Sequence, residues 1–377
     1  MSYIANTYNR YPMKISRGKG IYLWDDRGNQ YIDTFMGIGV LLFGHNHEKV
    51  IDAMKRKMER YVHLSNFFLD EDAEFIAERL VKETKKDGRV FFTNSGAEST
   101  ECALKIIRKV RKSGKIVSFD KNFHGRTMKA LSVTGFPNIR EQFVNDQDVV
   151  FLPYDNDTVT NFFERESDIA AVFVEVIHGS GGLDVIPNDI LNIISRYKKE
   201  KGFILVVDEV QSGLGRTGKF YAYQHFDVEP DIVTLAKGIG GGVPLGACIM
   251  LGEYADVLNK GEHGSTFAPN PVALAGGRAV LEMIDEKLLA HVEKMGELFE
   301  EKFKSLSFVS SVKGMGLMRG ISLAKNNVLK AEVFLEHGLL VNILGNGTIR
   351  FLLPLNINEE EIEEVSLKFK KALSQLQ

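Results

Sequence analysis

Apolar residues follow two rhythms along this chain. Between positions 47 and 64, Val50, Met54, Met58 and Val62 recur at helical spacing. From there to the middle of the chain, the segments 89–93, 115–119, 149–152, 171–175, 203–208 and 231–236 are short, nearly continuous apolar runs, the pattern of strands buried on both faces. About 20–40 residues separate successive runs, enough for crossover helices, so the reading is an α/β layer with a mostly parallel sheet flanked by helices.

After Pro269 the pattern changes. Segment 287–306 is a long amphipathic helix carrying Leu288, Val292, Met295, Phe299 and Phe303, followed by strand-like 317–323 and 348–353. A last helix begins at Asn358, where Glu361 three residues on completes a capping box, and presents Ile362, Val365 and Phe369 on one side. Near the start, segments 21–26 and 30–35 read as strands turned at Arg27-Gly28-Asn29. The expected division is an N-terminal segment 1–46, a large α/β domain 47–268 and a smaller α+β domain 269–377, with the N-terminal segment packing on the small domain or a subunit interface.

Composition narrows the partners. In 377 residues, 47 Lys and Arg face 50 Asp and Glu, a net charge of −3, so no global field favours nucleic acid or an anionic membrane, and a small-molecule partner is expected. Cys102 and Cys248 are too few for a disulfide framework, and fit a reducing compartment. The N-terminus lacks the pattern of a signal peptide and no run approaches the ~18 apolar residues of a membrane span, so the expectation is a cytoplasmic protein.

Two strand ends carry the candidate chemistry. FILVVDEV drives Asp208 to the carboxyl end of a buried strand, where α/β sheets place their ligands, and a buried carboxylate needs a cationic partner. DIVTLAK ends a second such strand in Lys237, next to the glycines of GIGGGVPLG. Desolvation lowers an amine's pKa and turns it into a nucleophile toward an aldehyde, while a nearby carboxylate holds a pyridine nitrogen protonated. That pairing suits pyridoxal 5'-phosphate (PLP), held as a Schiff base on Lys237; taken alone, Lys237 equally fits a strand-end lysine reaching solvent. Ser95-Gly96-Ala97, between a strand and a helix-favouring stretch, is either a phosphate cradle or an ordinary strand-to-helix turn. In Phe123-His124-Gly125-Arg126 the phenyl ring suits stacking on a pyridine and Arg126 suits a carboxylate, though such a pair is also ordinary packing beside a surface charge. Arg350, inside TIRFLLPL, is either buried with a partner or on an edge facing water.

Together with YNRYP, GKGIYLWDDRGNQYID, FFTNSGAES, FHGRTMKALSVTG, HGSTFAPNP, GMGLMRGISL and IRFLLPLNI, these segments resemble class III, fold-type I aminotransferases, most of all the acetylornithine aminotransferase branch, over nearly the whole chain. The resemblance implies that Lys237 carries the cofactor, Asp208 pairs with its pyridine nitrogen, and Gln211 bonds the ring hydroxyl. It places Phe123 and Val210 on the two ring faces, and Ser95, Gly96 and Ala97 at the phosphate with Thr266 from a neighbouring subunit. It assigns Arg126 and Ser265 to the carboxylate end of an acylated ornithine, and Arg350 to the α-carboxylate of glutamate or 2-oxoglutarate. A homodimer with shared sites is implied, as is a ping-pong reaction in arginine biosynthesis.

One segment departs from the family's pattern. Where an EPIQGE-type sequence is expected, the chain reads Glu175-Val176-Ile177-His178-Gly179-Ser180, so that Ser180 replaces the glutamate that masks the second arginine and His178 replaces the glutamine. Arg350 is therefore expected to be less masked, favouring dicarboxylates. Other donors (ornithine, 4-aminobutyrate, N-succinyl-diaminopimelate, a carrier-linked lysine precursor) stay open, as does an aminomutase reaction; a non-catalytic regulatory descendant is opposed by the presence of Asp208, Gln211 and Lys237. Two nucleotide readings fail: Gly213 to Lys219 has P-loop spacing, but Phe220 stands where Ser or Thr must hold magnesium, and Val243 occupies the third glycine position of a dinucleotide fingerprint. His45 and His47 lack a recognisable third ligand.

Overall fold

A computed structural model describes residues 3–324 and 330–374. The N-terminal strands β1 (Ile15–Lys19), β2 (Tyr22–Asp25) and β3 (Gln30–Asp33) form an antiparallel meander. Its turn is held by Asp25, whose carboxylate accepts from the Arg27 and Asn29 amides and the Asn29 side chain.

The central sheet contains β4 (Gly88–Thr93), β5 (Lys115–Phe119), β6 (Val149–Leu152), β7 (Ile169–Val174), β8 (Ile204–Asp208), β9 (Ile232–Leu235) and β10 (Gly246–Leu251), in the order β4-β10-β9-β8-β7-β5-β6. All pairings are parallel except those of β10, which runs antiparallel to both β4 and β9. Every residue of β7 and β8 is buried, as expected for a sheet covered by helices on both sides. The six apolar runs read from the sequence are β4 to β9; β10 escaped notice. Cys102 and Cys248 are free and buried, their thiols in hydrogen-bonding contact between the helix Gly96–Val110 and β10.

The C-terminal region contributes β11 (Val309–Met315), β12 (Met318–Leu323), β13 (Leu339–Leu340), β14 (Asn342–Ile343) and β15 (Ile349–Leu352). β13 joins β3 in parallel, and the others form a sheet ordered β11-β12-β15-β14. The N-terminal segment thus packs on the C-terminal region, and Tyr11 Oη adds a 2.7 Å hydrogen bond to the Val341 carbonyl. The helices Glu286–Lys304 and Glu359–Ser374 cover this sheet, with Phe299, Phe303, Phe351 and Phe369 in mutual ring contact and fully buried. Truncating any one of them to Ala would cost about 3–5 kcal/mol. The capping box at the last helix is present: Glu361 N donates to Asn358 Oδ1 (2.8 Å) and Asn358 N to Glu361 Oε2 (3.0 Å). The helix Pro271–Glu282, just inside the expected small domain, packs on the helices Glu48–Arg60 and Glu71–Glu83.

No helix of the described residues is long and apolar enough to cross a membrane.

Candidate active site

The parallel strands deliver their carboxyl ends to one cavity of about 470 Å³, lined among others by Ser95, Gly96, Ala97, Phe123, His124, Arg126, Asp208, Val210 and Lys237. Residues remote in sequence meet there because β8, β9 and β4 end side by side, with β10 inserted between the last two.

Lys237 follows β9 directly and opens a short 3₁₀ turn with φ of 50°. This left-handed conformation is disfavoured for a side-chain-bearing residue and fits a functional constraint. Burial pushes its amine down to about 8, assisted by the positive charges of Arg350 and Arg216 and opposed by Asp208 and Glu175. An amine so perturbed is available in its neutral, nucleophilic form near physiological pH.

Asp208 ends β8 and is buried. Its Oδ1 accepts from the Val210 amide at 2.9 Å and its Oδ2 lies 2.7 Å from His124 Nδ1. The His124 ring is buried too, and its Nε2 has no hydrogen-bond partner among the described residues. A second buried acid, Glu175, accepts from the Phe123 amide at 2.7 Å. Burial, then repulsion from Asp208, raises its pKa to about 8.

At the end of β4, Ser95 caps the fifteen-residue helix Gly96–Val110, its Oγ accepting from Glu98 N at 3.2 Å. Glycine is required next to it, since a Cβ on residue 96 would sit 2.8 Å from Val210 Cγ1. The Gly96 and Ala97 amides stand at the positive end of this helix, facing the cavity wall, which is chemistry suited to a phosphate. Cradle, buried carboxylate and pKa-lowered lysine around one cavity fit pyridoxal phosphate.

The predicted substrate residues divide. Arg126 is exposed at the cavity, its guanidinium 5.5 Å from the centre of the Phe123 ring. Ser265 does not line the cavity; its Oγ accepts from Asn94 Nδ2 (3.2 Å) and from the Ala268 amide (3.1 Å), and Asn94 does line it. Thr266 is exposed and apart from this chain's own cavity. Arg350, on β15, is buried with partners, all of them neutral oxygens: Gly179 O (2.6 Å), Gln211 Oε1 (3.3 Å) and Asn342 Oδ1 (3.0 Å from Nε, 2.7 Å from Nη2). Gly39 lies near the side chains of both Gln211 and Lys237: a Cβ built on it would come within 3.9 Å of Gln211 Cγ and 4.0 Å of Lys237 Cδ.

His178 is buried beside Tyr154, ring centroids 4.5 Å apart, with neither nitrogen hydrogen-bonded; burial holds its pKa down to about 4, so the ring is neutral. The false P-loop segment is turn structure whose Arg216 is fully buried. Arg216 Nη1 donates to Leu353 O (2.6 Å) and its carbonyl accepts from Leu317 N (3.0 Å), which ties the loop after β8 to the ends of β12 and β15. His45 Nε2 is engaged by Asp33 at 2.9 Å.

His124, Glu175 and Asn342 were not picked out as site residues from the sequence. His124 stood inside a motif read for its ring and its arginine, and only the meeting of β5's exit with β8 reveals its partner.

Comparison with known proteins agrees with this geometry. The profile of the family described as Aminotransferase class-III matches residues 3–373. The acetylornithine aminotransferase of Aquifex aeolicus (strain VF5) is 43% identical, the alignment covering 96% of this chain and 97% of the relative. Among solved structures, the N-acetylornithine aminotransferase of Stenotrophomonas maltophilia K279a superimposes with a TM-score of 0.83 at 30% identity, covering 97% of each chain. The ornithine aminotransferase of Toxoplasma gondii, whose active site holds PLP at partial occupancy, gives 0.89 at 31% identity, covering 98% of this chain and 92% of that one. The chain belongs to the class III aminotransferases: it is a PLP-dependent transaminase of the fold-type I architecture.

Proposed function

We propose that this enzyme moves the terminal amino group of an N-acylated ornithine, N-acetylornithine foremost, to 2-oxoglutarate by a ping-pong reaction in arginine biosynthesis. The observation that carries this reading is a pair of arginines served by one lysine: Arg126 exposed at the cavity, and Arg350 buried beyond Gln211 with no carboxylate partner among the described residues. Two carboxylate receptors suit a site that accepts a dicarboxylate and a long donor with its own distal carboxylate. The names of the relatives point the same way.

Bound pyridoxal phosphate supplies an electrophilic aldehyde and an electron-withdrawing ring. Gly96 and Ala97 would hold its phosphate, Phe123 and Val210 its ring faces, Asp208 its ring nitrogen and Gln211 its hydroxyl. Lys237 Nζ would anchor it and, once displaced by substrate, take a proton from the substrate carbon and return one. Arg350 orients the α-carboxylate of glutamate or 2-oxoglutarate, and Arg126 with Ser265 the far carboxylate of the donor. Thr266 would reach the phosphate of a partner subunit's site, making a homodimer the working unit. Phe67, Phe68, Leu69 and Phe267, all exposed on one chain, are apolar surface for such an interface. A cytoplasmic location completes the reading.

The test is a panel of donors with 2-oxoglutarate, following glutamate formation. N-acetylornithine should give the highest kcat/KM among acylated ornithines, N-succinyl-diaminopimelate, ornithine and 4-aminobutyrate; a clear preference for any other donor overturns the assignment.

A further inference from the structure

Arg350, like Arg216, is a buried guanidinium with no carboxylate against it among the described residues, but unlike Arg216 it is fully engaged. Four hydrogen bonds engage it, and every acceptor is neutral. Buried arginines are ordinarily compensated by a carboxylate, because leaving a charge alone in a poorly hydrated interior is costly. The acid that acts on it electrostatically is Glu175, whose carboxylate accepts from the Phe123 and Gly179 amides rather than from the guanidinium. Burial raises Glu175 to about 8, so it carries little charge at neutral pH.

Asn342 provides most of the hold. It sits directly across from Arg350 in the β14–β15 ladder. Its single side-chain oxygen accepts from both Nε and Nη2, the edge of the fork that an aspartate would occupy bidentately. An amide and a carboxylate are nearly the same shape, so Asn at this position withholds a negative charge and a second acceptor.

We propose that Asn342 is the specificity-determining positioning residue for Arg350: it fixes the plane of the guanidinium while leaving its charge uncompensated, so that a substrate α-carboxylate displaces no internal ion pair when it binds. The proposal rests on the reading of Arg350 as the α-carboxylate receptor. The class of ligand favoured is a dicarboxylic amino or keto acid over a terminal amine, which brings no anion to this end of the site. Gln211 makes the longest of the four contacts, 3.3 Å, and is the first to yield when the anion arrives.

The experiment uses the holoenzyme and glutarate, a dicarboxylate that cannot react, with binding measured by calorimetry beside steady-state kinetics for glutamate and 5-aminovalerate. Asn342→Asp should weaken glutarate about tenfold or more and raise the KM for glutamate by a similar factor, with a smaller effect on kcat. The preference for glutamate over 5-aminovalerate should fall accordingly. Asn342→Ala, which removes the acceptor without adding charge, should weaken glutarate only about threefold. Melting temperatures are compared for both, and if the Asp variant melts early the Ala variant decides alone. Arg350→Ala separates the two levels of the argument. Loss of glutarate binding in Arg350→Ala with unchanged binding in the Asn342 variants overturns the proposal and leaves the receptor reading intact. Unchanged binding in Arg350→Ala overturns both.

Discussion

His124 Nδ1 and Asp208 Oδ2 lie 2.7 Å apart, with both side chains excluded from solvent. The strand-end carboxylate therefore has two directional partners on the protein side, the imidazole and the Val210 amide, that fix it in one rotamer facing the cavity. Because the His124 backbone is itself tied to Thr134 (3.0 Å) and Thr100 (2.8 Å), the imidazole is not free to follow a wandering carboxylate.

His124→Ala should accordingly lower kcat and weaken cofactor retention, each by about tenfold or more, because it leaves a buried charge with a lost hydrogen bond. Cofactor release followed by visible absorbance during dialysis checks this. Retention and kcat indistinguishable from the parent would show that Asp208 needs no support from the histidine.

Gly96→Ala should impair the phosphate cradle. The added methyl would meet Val210 at 2.8 Å, so either the helix start or Val210 must move, at a cost of about 1–3 kcal/mol. Equilibrium dialysis should register a PLP affinity lower by about tenfold, while far-UV circular dichroism stays unchanged.

Two buried groups make opposite contributions to the pH dependence of the cofactor-free protein. Lys237 is lowered from 10.5 to about 8, so the fold binds fewer protons than the unfolded chain in that window. Its contribution makes stability rise with pH from about 8 to 10.5. Glu175 is raised from 4.5 to about 8, so its contribution makes stability fall as pH rises through that interval. Lys237→Met should flatten the alkaline gain and Glu175→Gln the loss between acid and neutral pH. Melting temperatures across pH 5 to 10 in both variants would reveal it, and parallel curves for parent and variants would refute it.

Ser180→Glu places a carboxylate in the segment that reaches Arg350 through Gly179 O. The expected outcome is a KM for glutamate raised about tenfold, with N-acetylornithine favoured relative to the parent. Single-turnover rates for the two donors measure the ratio; no change would mean that Ser180 does not face the guanidinium.

Much of the architecture was legible because buried strands leave continuous apolar runs: β5 and β6 coincide with their sequence segments, and the capping box at Asn358 sits one residue before the last helix, Glu359–Ser374. β10 was hidden because it begins at the end of a glycine-rich stretch, where no apolar run announces its start. The helix Pro271–Glu282 was hidden because it is apolar nearly all round, so no face stood out. β13 and β14, two residues each, are too short to have a period. At the site, Lys237, Asp208 and Gly96 stood out as candidates by type and position, and the fold brings all three to one cavity. Asn342 did not, since its meaning depends on a register with Arg350 that only the folded hairpin sets.

The two hydrogen bonds of Arg216 join parts of the chain that lie far apart in sequence. They bolt the loop that follows Asp208 to the strands that frame Arg350. The strand that carries Arg350 and the loop after Asp208 are thereby coupled, and one cannot draw away from the other without breaking both bonds.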